Sequence, residues 1–314
     1  MYTARNAFAG PIHDAAKKCD VVRLQKLLQA NPALANARDK AGNTPLMVLV
    51  LTPEVAYAKA AYRKSSLAAV QLLLDKGANP NLTSSELSGV TPIIFLAVTN
   101  NQDILRLLLE RGAEPGKAAA NGTTALHMAT LAEKVDNIRL LLKYGAKVNA
   151  RNEKGETPLH TAIFSKGDQD KQGDQDKQGD QRNRVMQELL QQGADINAKT
   201  LDGSTTLHLA ASFEVLSNVK FLVSRGAQIN ALDKQGRTPL HAALYMSDRL
   251  SRDFVEALII LGADLTIKDT EGRTPLDVAT MERTTFLQSR GNMPPETIKM
   301  LQHYTEKQLR AKKN

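Results

Sequence analysis

Histidine is the side chain best suited to move a proton or hold a metal near neutral pH. The chain has six, and five of them, His13, His127, His160, His208 and His241, fall at one position of a recurring phrase. A side chain repeated once per period is expected to serve the structure of the period rather than to build five separate centres. His303 stands alone with no partner motif around it. Cysteine chemistry is limited to Cys19, so no disulfide and no cysteine-based metal centre can form within this sequence. The neighbouring Lys17 and Lys18 would favour its thiolate. No Gly-rich phosphate loop of the Walker or Rossmann kind, no serine nucleophile elbow, no HExxH and no kinase signature is present. Carboxylates are scattered without a specific pairing. No catalytic, cofactor-binding or metal-ligating residue is assigned, and the chain is not expected to be an enzyme or to need a cofactor.

The elements that position these histidines are legible from the repeat itself. A glycine is followed two residues later by a Thr-Pro-Leu-His-like element, then an apolar stretch, then Leu-Leu-x-x-Gly-Ala. The phrase recurs from Gly42, Gly89, Gly122, Gly155, Gly203, Gly236 and Gly272, with a degenerate copy, GPIHDAA, from Gly10. Gly89, Gly122 and Gly155 are 33 residues apart, as are Gly203 and Gly236. Thr is an N-cap type and Pro is tolerated in the first helical turn. The Gly of Leu-Leu-x-x-Gly-Ala can adopt the left-handed conformation that ends a helix. Asp-x-x-Gly between copies predicts a tight turn. Each copy is therefore two short antiparallel helices and a hairpin finger, and stacking buries the face that one copy cannot bury alone.

This pattern resembles the ankyrin repeat over about residues 8–304, in eight units. The resemblance implies an all-α repeat solenoid: an array of helix-turn-helix units with β-hairpin fingers. The array is expected to span 1–304, followed by a basic tail, 305–314. Cys19 would then occupy the first-helix end that usually carries glycine, as a spacer. Insertions are expected near 52–66, 166–183, 247–250 and 281–295. The first is rich in Ala, Lys and Glu and predicts helix, with Tyr57 and Tyr62 on neighbouring faces. The second repeats GDQDKQ at 167–172 and 173–178, has no apolar residue there, and is expected to be disordered.

Of 314 residues, 42% are hydrophobic, 24% charged and only 4% aromatic, a composition that suits thin stacked layers. The net charge of +8 sits at the ends, with +4 in residues 1–40 and +4 in 290–314. Solvated caps of an array account for it, and the middle, whose charges sum to about zero, argues against nucleic acid as partner. The start lacks the apolar core of a secretory signal, and no run approaches the roughly 18 apolar residues of a membrane span. One cysteine fits a reducing, cytoplasmic setting.

By resemblance, such arrays bind proteins along a concave surface of finger tips and first helices. The eighth and ninth positions counted from the Thr of each phrase should face it. Those positions include Leu131, Phe164, Phe213, Tyr245 and Met246, an apolar set whose adjacent units are spaced by roughly 10 Å. With Arg151, Lys154, Lys234 and Arg237 on the fingers, they are the expected protein-binding residues of a monomeric scaffold or adaptor. The competing expectation is that the insertions cover the strip. Two further readings are a bacterial effector acting in a host cytoplasm and a scaffold holding an anionic partner, nucleic acid or lipid, at its basic ends. Asn81, Asn149, Asn197 and Asn230 each follow a Leu by eight residues, which resembles the sites of asparaginyl hydroxylase in ankyrin proteins.

Overall fold

A computed structural model describes residues 10–56, 60–165, 175–246, 251–281 and 293–313. Tyr57, residues 166–174, 247–250 and 282–292 lie outside the described residues, and with them the whole first hexapeptide copy and the start of the second. The chain divides into two compact units, Met1–Glu153 and Lys154–Asn314.

The first unit contains nine helices among its described residues. These are α1 (Pro11–Lys17), α2 (Val21–Ala30), α3 (Pro45–Leu51), α4 (Pro53–Ala56), α5 (Ala60–Asp75), α6 (Pro92–Leu96), α7 (Gln102–Glu110), α8 (Ala125–Leu131) and α9 (Val135–Lys143). First helices stack on first helices, α1 on α3, α3 on α6 and α6 on α8, while α2, α5, α7 and α9 form the parallel second row. Leu24, Leu46, Leu49, Leu73, Leu96, Leu105, Leu108 and Leu126 fill the space between rows with essentially no exposure. The first insertion is helical as expected: α4 and α5 carry it.

The second unit contains α10 (Pro158–Thr161), α11 (Gln175–Gln191), α12 (Thr206–Ser212), α13 (Leu216–Ser224), α14 (Pro239–Met246), α15 (Arg252–Ile260), α16 (Pro275–Thr280) and α17 (Pro295–Ala311). Two expectations need correction here. The polar insertion is helical from Gln175 onward, because α11 runs unbroken into the buried Val185, Met186 and Leu189. Once that apolar turn is formed, adding polar residues to its N-terminal end needs no new nucleus. The C-terminal residues are not a separate tail either. α17 continues through them, and Gln308 and Lys312 reach back to the preceding repeat: the Gln308 amide donates to Ala263 O (3.0 Å) and Lys312 Nζ to Asp264 Oδ2 (2.7 Å).

Thr-Pro acts at helix starts as its chemistry predicts. Thr44 Oγ1 accepts from Met47 N at 3.3 Å, with Pro45 in the first turn. The glycine closing each second helix is left-handed, for example Gly112 at φ 88° and Gly226 at φ 93°. The fingers are hairpin turns rather than strands. In the finger from Asp233 to Arg237 the Asp233 N–H donates to Arg237 O at 3.0 Å, and among the described residues the one β-type pairing is the bridge Lys199–Thr205. Neighbouring fingers are joined by single backbone bonds, such as Ala120 N to Ser88 O (2.8 Å), Lys234 N to Asp202 O (2.9 Å) and Thr270 N to Gln235 O (2.9 Å). That approach requires glycine at 203. Its φ is +85°, and a Cβ there would stand 2.7 Å from Lys234 N.

Candidate functional site

The repeated histidines are structural in the way the period suggested. Their Nδ1 accepts from the N-capping Thr of the same helix, whose hydroxyl lies 2.9 Å away for His127, His160 and His208 and 2.8 Å for His241. In His160, His208 and His241 Nε2 faces a carbonyl of the next finger, Ser204 O (3.4 Å), Arg237 O (3.0 Å) and Arg273 O (3.1 Å). Burial pushes the pKa of His208 and His241 down, so both rings stay neutral and hold this tautomer. His13 has Ala37 O and Asn43 O at 3.1 Å from Nε2, but Gly10 replaces the capping Thr and its Nδ1 is buried without a partner. His303 packs edge-on against Tyr304.

Cys19 is 4% exposed, in left-handed backbone at φ 51°. Burial, with the charge of Glu54, pushes its thiol up to about 11. The activating effect expected of Lys17 and Lys18 is therefore overturned: desolvation of the thiolate outweighs two solvated ammonium groups. Among the described residues no group of three or more His, Cys, Asp or Glu side chains is arranged to hold a metal.

The predicted strip separates into two kinds of residue. Phe213 and Met246, at the ninth position of consecutive units, are each 55% exposed. Phe164 is half-buried and meets Phe213 edge to face, centroids 5.6 Å apart and rings at 87°. Tyr245 is also half-buried and is not the open anchor that its position suggested. Its hydroxyl donates to Asp269 Oδ2 at 3.1 Å, and the guanidinium carbons of Arg237 and Arg273 lie 5.7 and 5.3 Å from its ring centre. Burial pushes its phenol up to about 12. Each arginine is fixed by the aspartate that opens its own finger, Arg237 Nε to Asp233 Oδ2 (2.8 Å) and Arg273 Nε to Asp269 Oδ2 (2.9 Å). Arg237 is thus partly spent on the scaffold, whereas Lys234 is exposed. Lys154 is exposed in the same unit, and Arg151 and Leu131, the latter 37% exposed, belong to the first unit.

Three of the asparagines singled out by spacing, Asn81, Asn197 and Asn230, act as staples between successive repeats. Asn81 donates to Gly112 O (2.9 Å) and accepts from Glu114 N (2.8 Å), and Asn230 does the same with Gly262 O (3.0 Å) and Asp264 N (2.8 Å). Asn197 accepts from Gln228 N at 2.9 Å, and Asn149 is exposed. Sequence reasoning missed Asn36, which makes the same staple to Gly77 O and Asn79 N at 2.7 Å each. The spacing signal was present, since Asn36 follows Leu28 by eight residues, but a 3-10 turn that ends on it, Pro32–Asn36, replaces the usual Gly-Ala context.

Comparison with known proteins bears directly on this architecture. The sequence profile of ankyrin repeats in three copies matches residues 12–119, 58–152, 94–171 and 178–269, and that of a single ankyrin repeat matches 154–201. The chain belongs to the ankyrin-repeat family. It is similar to mouse inversin, 33% identical over 125 residues that make up 40% of this chain and 10% of inversin. It is also similar to human transient receptor potential cation channel subfamily A member 1, 26% identical over 154 residues, 38% of this chain and 13% of that protein. The chain thus matches about a tenth of the length of these relatives. Among solved structures, the ankyrin repeat domain of human ASB11 superposes with a TM-score of 0.53 at 21% identity, covering 91% of this chain and all of that one. Identity that low speaks for the fold alone. The ankyrin-repeat fold is in general a protein-interaction module, and no helix among the described residues of this chain is long and apolar enough to cross a membrane.

Proposed function

We propose that this chain is a protein-binding scaffold whose recognition face is the apolar strip of the second unit, with Phe213 and Met246 as its anchors. The observation that supports this most is their common register: two large apolar side chains, each 55% exposed, at the same position of consecutive repeats. The fold does not need them there, and leaving such side chains half in water forgoes about 1 kcal/mol of burial each. Grouped exposed apolar residues mark interaction sites. Phe164 extends the strip through its contact with Phe213, and Tyr245 with its two arginines gives it a stiff polar edge. Lys154, Lys234 and Arg237 stand beside Glu156, Asp202 and Glu271 on the fingers of the same unit, and mixed signs suit the rim of a protein interface better than a phosphate track. Leu131 and Arg151 would extend recognition within the first unit.

The test pairs binding with stability. Phe213→Ala combined with Met246→Ala should lower affinity for the protein captured by the wild-type chain by about thirtyfold or more. The melting midpoint should stay nearly unchanged, since neither side chain is core. A stable double variant that binds as well as wild type would remove the strip from consideration and leave the finger tips.

A further inference from the structure

Asn137 and Asn218 occupy the same repeat position, thirteen residues after the N-capping Thr of their units, and both are fully buried. Asn137 uses it to clamp the preceding repeat: its Nδ2 donates to Ala97 O and Thr99 O, each at 2.9 Å. Those carbonyls are six and eight residues after Thr91, where the first helix of that repeat has ended and its carbonyls have lost their helical partners. Counted in the same way from Thr157, the carbonyls available to Asn218 are those of Ile163 and Ser165. Yet Asn218 Nδ2 is buried with no hydrogen-bond partner.

The Ser165 carbonyl has been taken by another donor. Arg182, from α11, places Nε 3.1 Å and Nη2 2.5 Å from Ser165 O, and Nε is also 3.1 Å from Ser165 Oγ. The backbone it holds is altered as well. The first helix of this repeat stops at Thr161 and tightens into a 3-10 turn, Ala162–Phe164, before Ser165 turns extended at φ −59°, ψ 126°. Phe164, next to the clamped residue, is the ring that meets Phe213, and Phe213 lies five residues before Asn218 in the adjoining repeat.

We propose that the Ser165 carbonyl is an acceptor contested by Arg182 and Asn218, and that the winner sets how the Phe164–Phe213 pair is presented. Arg182 wins in this structure, with a charge-assisted forked bond against a single neutral amide. Losing Arg182 would free the acceptor that the repeat pattern assigns to Asn218, drawing the end of the 3-10 turn toward α13 and moving Phe164 on Phe213. Arg182 is therefore a positioning residue: it belongs to an inserted helix that the repeat does not require, and it acts on the strip through Ser165. The consequence for partner binding rests on the function proposed above; the contest itself does not.

Nitrogen-15 NMR of the full chain tests it. In wild type the Asn218 side-chain amide should show the shift of an unbonded NH2. In Arg182→Ala it should move downfield and gain exchange protection, and the Phe164 and Phe213 ring resonances should move with it. A double-mutant cycle gives a second readout. Asn218→Ala should shift the melting midpoint by less than about 1 °C in wild type, but lower it by about 2–4 °C in Arg182→Ala, the size expected for one hydrogen bond. Should Arg182→Ala fail to fold, Arg182→Lys keeps the charge but not the fork, and the same amide shift is expected. An Asn218 amide indifferent to residue 182, or equal effects of Asn218→Ala in both backgrounds, would overturn the contest. If instead the amide responds while Phe213→Ala leaves partner affinity intact, the contest stands and the strip assignment fails.

Discussion

Thr52 and Thr99 in the first unit occupy the repeat position that carries Phe213 and Met246 in the second. The two threonines are buried, and each folds its hydroxyl back onto its own helix, Thr52 to Val48 O at 3.0 Å and Thr99 to Leu96 O at 2.8 Å. The phenylalanine and methionine point outward and are more than half exposed. Both solutions end a first helix, so the backbone leaves this position open to choice. Two consecutive repeats of the second unit have used it for apolar surface, which is unfavourable in water and useful against a partner. Polar residues differ in the same direction. Arg63 and Arg111 of the first unit pair with Asp103 and Asp75 at 2.7 and 2.6 Å across exposed helix surfaces, where ion pairs add little. Arg237 and Arg273 of the second pair with nearly inaccessible aspartates and close over Tyr245.

The largest effect that could break this contrast is at Tyr245. If it is a stiffening post, Tyr245→Ala should destabilise the second unit by about 2–3 kcal/mol, whereas Tyr245→Phe, which loses only the bond to Asp269, should cost about 1 kcal/mol. Denaturant melts of both variants check this; equal and negligible losses would make Tyr245 another free anchor like Phe213.

A gain of about 1 kcal/mol is expected from Gly10→Thr, at the other end of the chain. Gly10 already has the extended geometry of the capping threonines, φ −64° and ψ 164°, and a Cβ there would meet only His13 Nδ1, at 3.7 Å. The new hydroxyl would supply both the missing cap of α1 and the missing partner of His13. A destabilised variant would show that the first repeat is built differently from the rest.

Acid should act on the second unit more gently. His208 and His241 are held neutral by burial, with pKa values below the ordinary 6.5. The unfolded chain therefore binds more protons than the folded one between the lowered values and about 6.5. Stability should be full above that upper limit and fall as pH drops through it. Asp269, whose carboxylate is kept ionised against burial by the backbone N–H and guanidinium of Arg273, adds a further loss only below the usual carboxylate range. Melting midpoints indifferent to pH between 7.5 and 5 would contradict the neutral-histidine clasp.

The helices, their caps and the histidine clasps were legible because each follows from short-range chemistry repeated at a fixed period. The apolar strip was legible as a set of positions, but not as a set of exposures. Tyr245 is withdrawn by Arg237 and Arg273, which come from two different fingers, and no local pattern links them to it. The helix beginning at Gln175 was hidden for the opposite reason. Its composition is that of a solvated loop, and the apolar turn that supports it lies ten residues further on, at Val185 and Met186. The role of Arg182 needed both facts, the helix and the unpartnered Nδ2 of Asn218, before it could be seen.

The left-handed, buried Cys19 has a practical consequence. With one thiol in the sequence, and that thiol both inaccessible and poorly ionised in the folded chain, an alkylating reagent reports a single event, the opening of the first repeat. The chain thus contains its own stopwatch for that opening. The labelling rate of the unmodified protein, followed against denaturant, would time how often the repeat that holds Cys19 lets go.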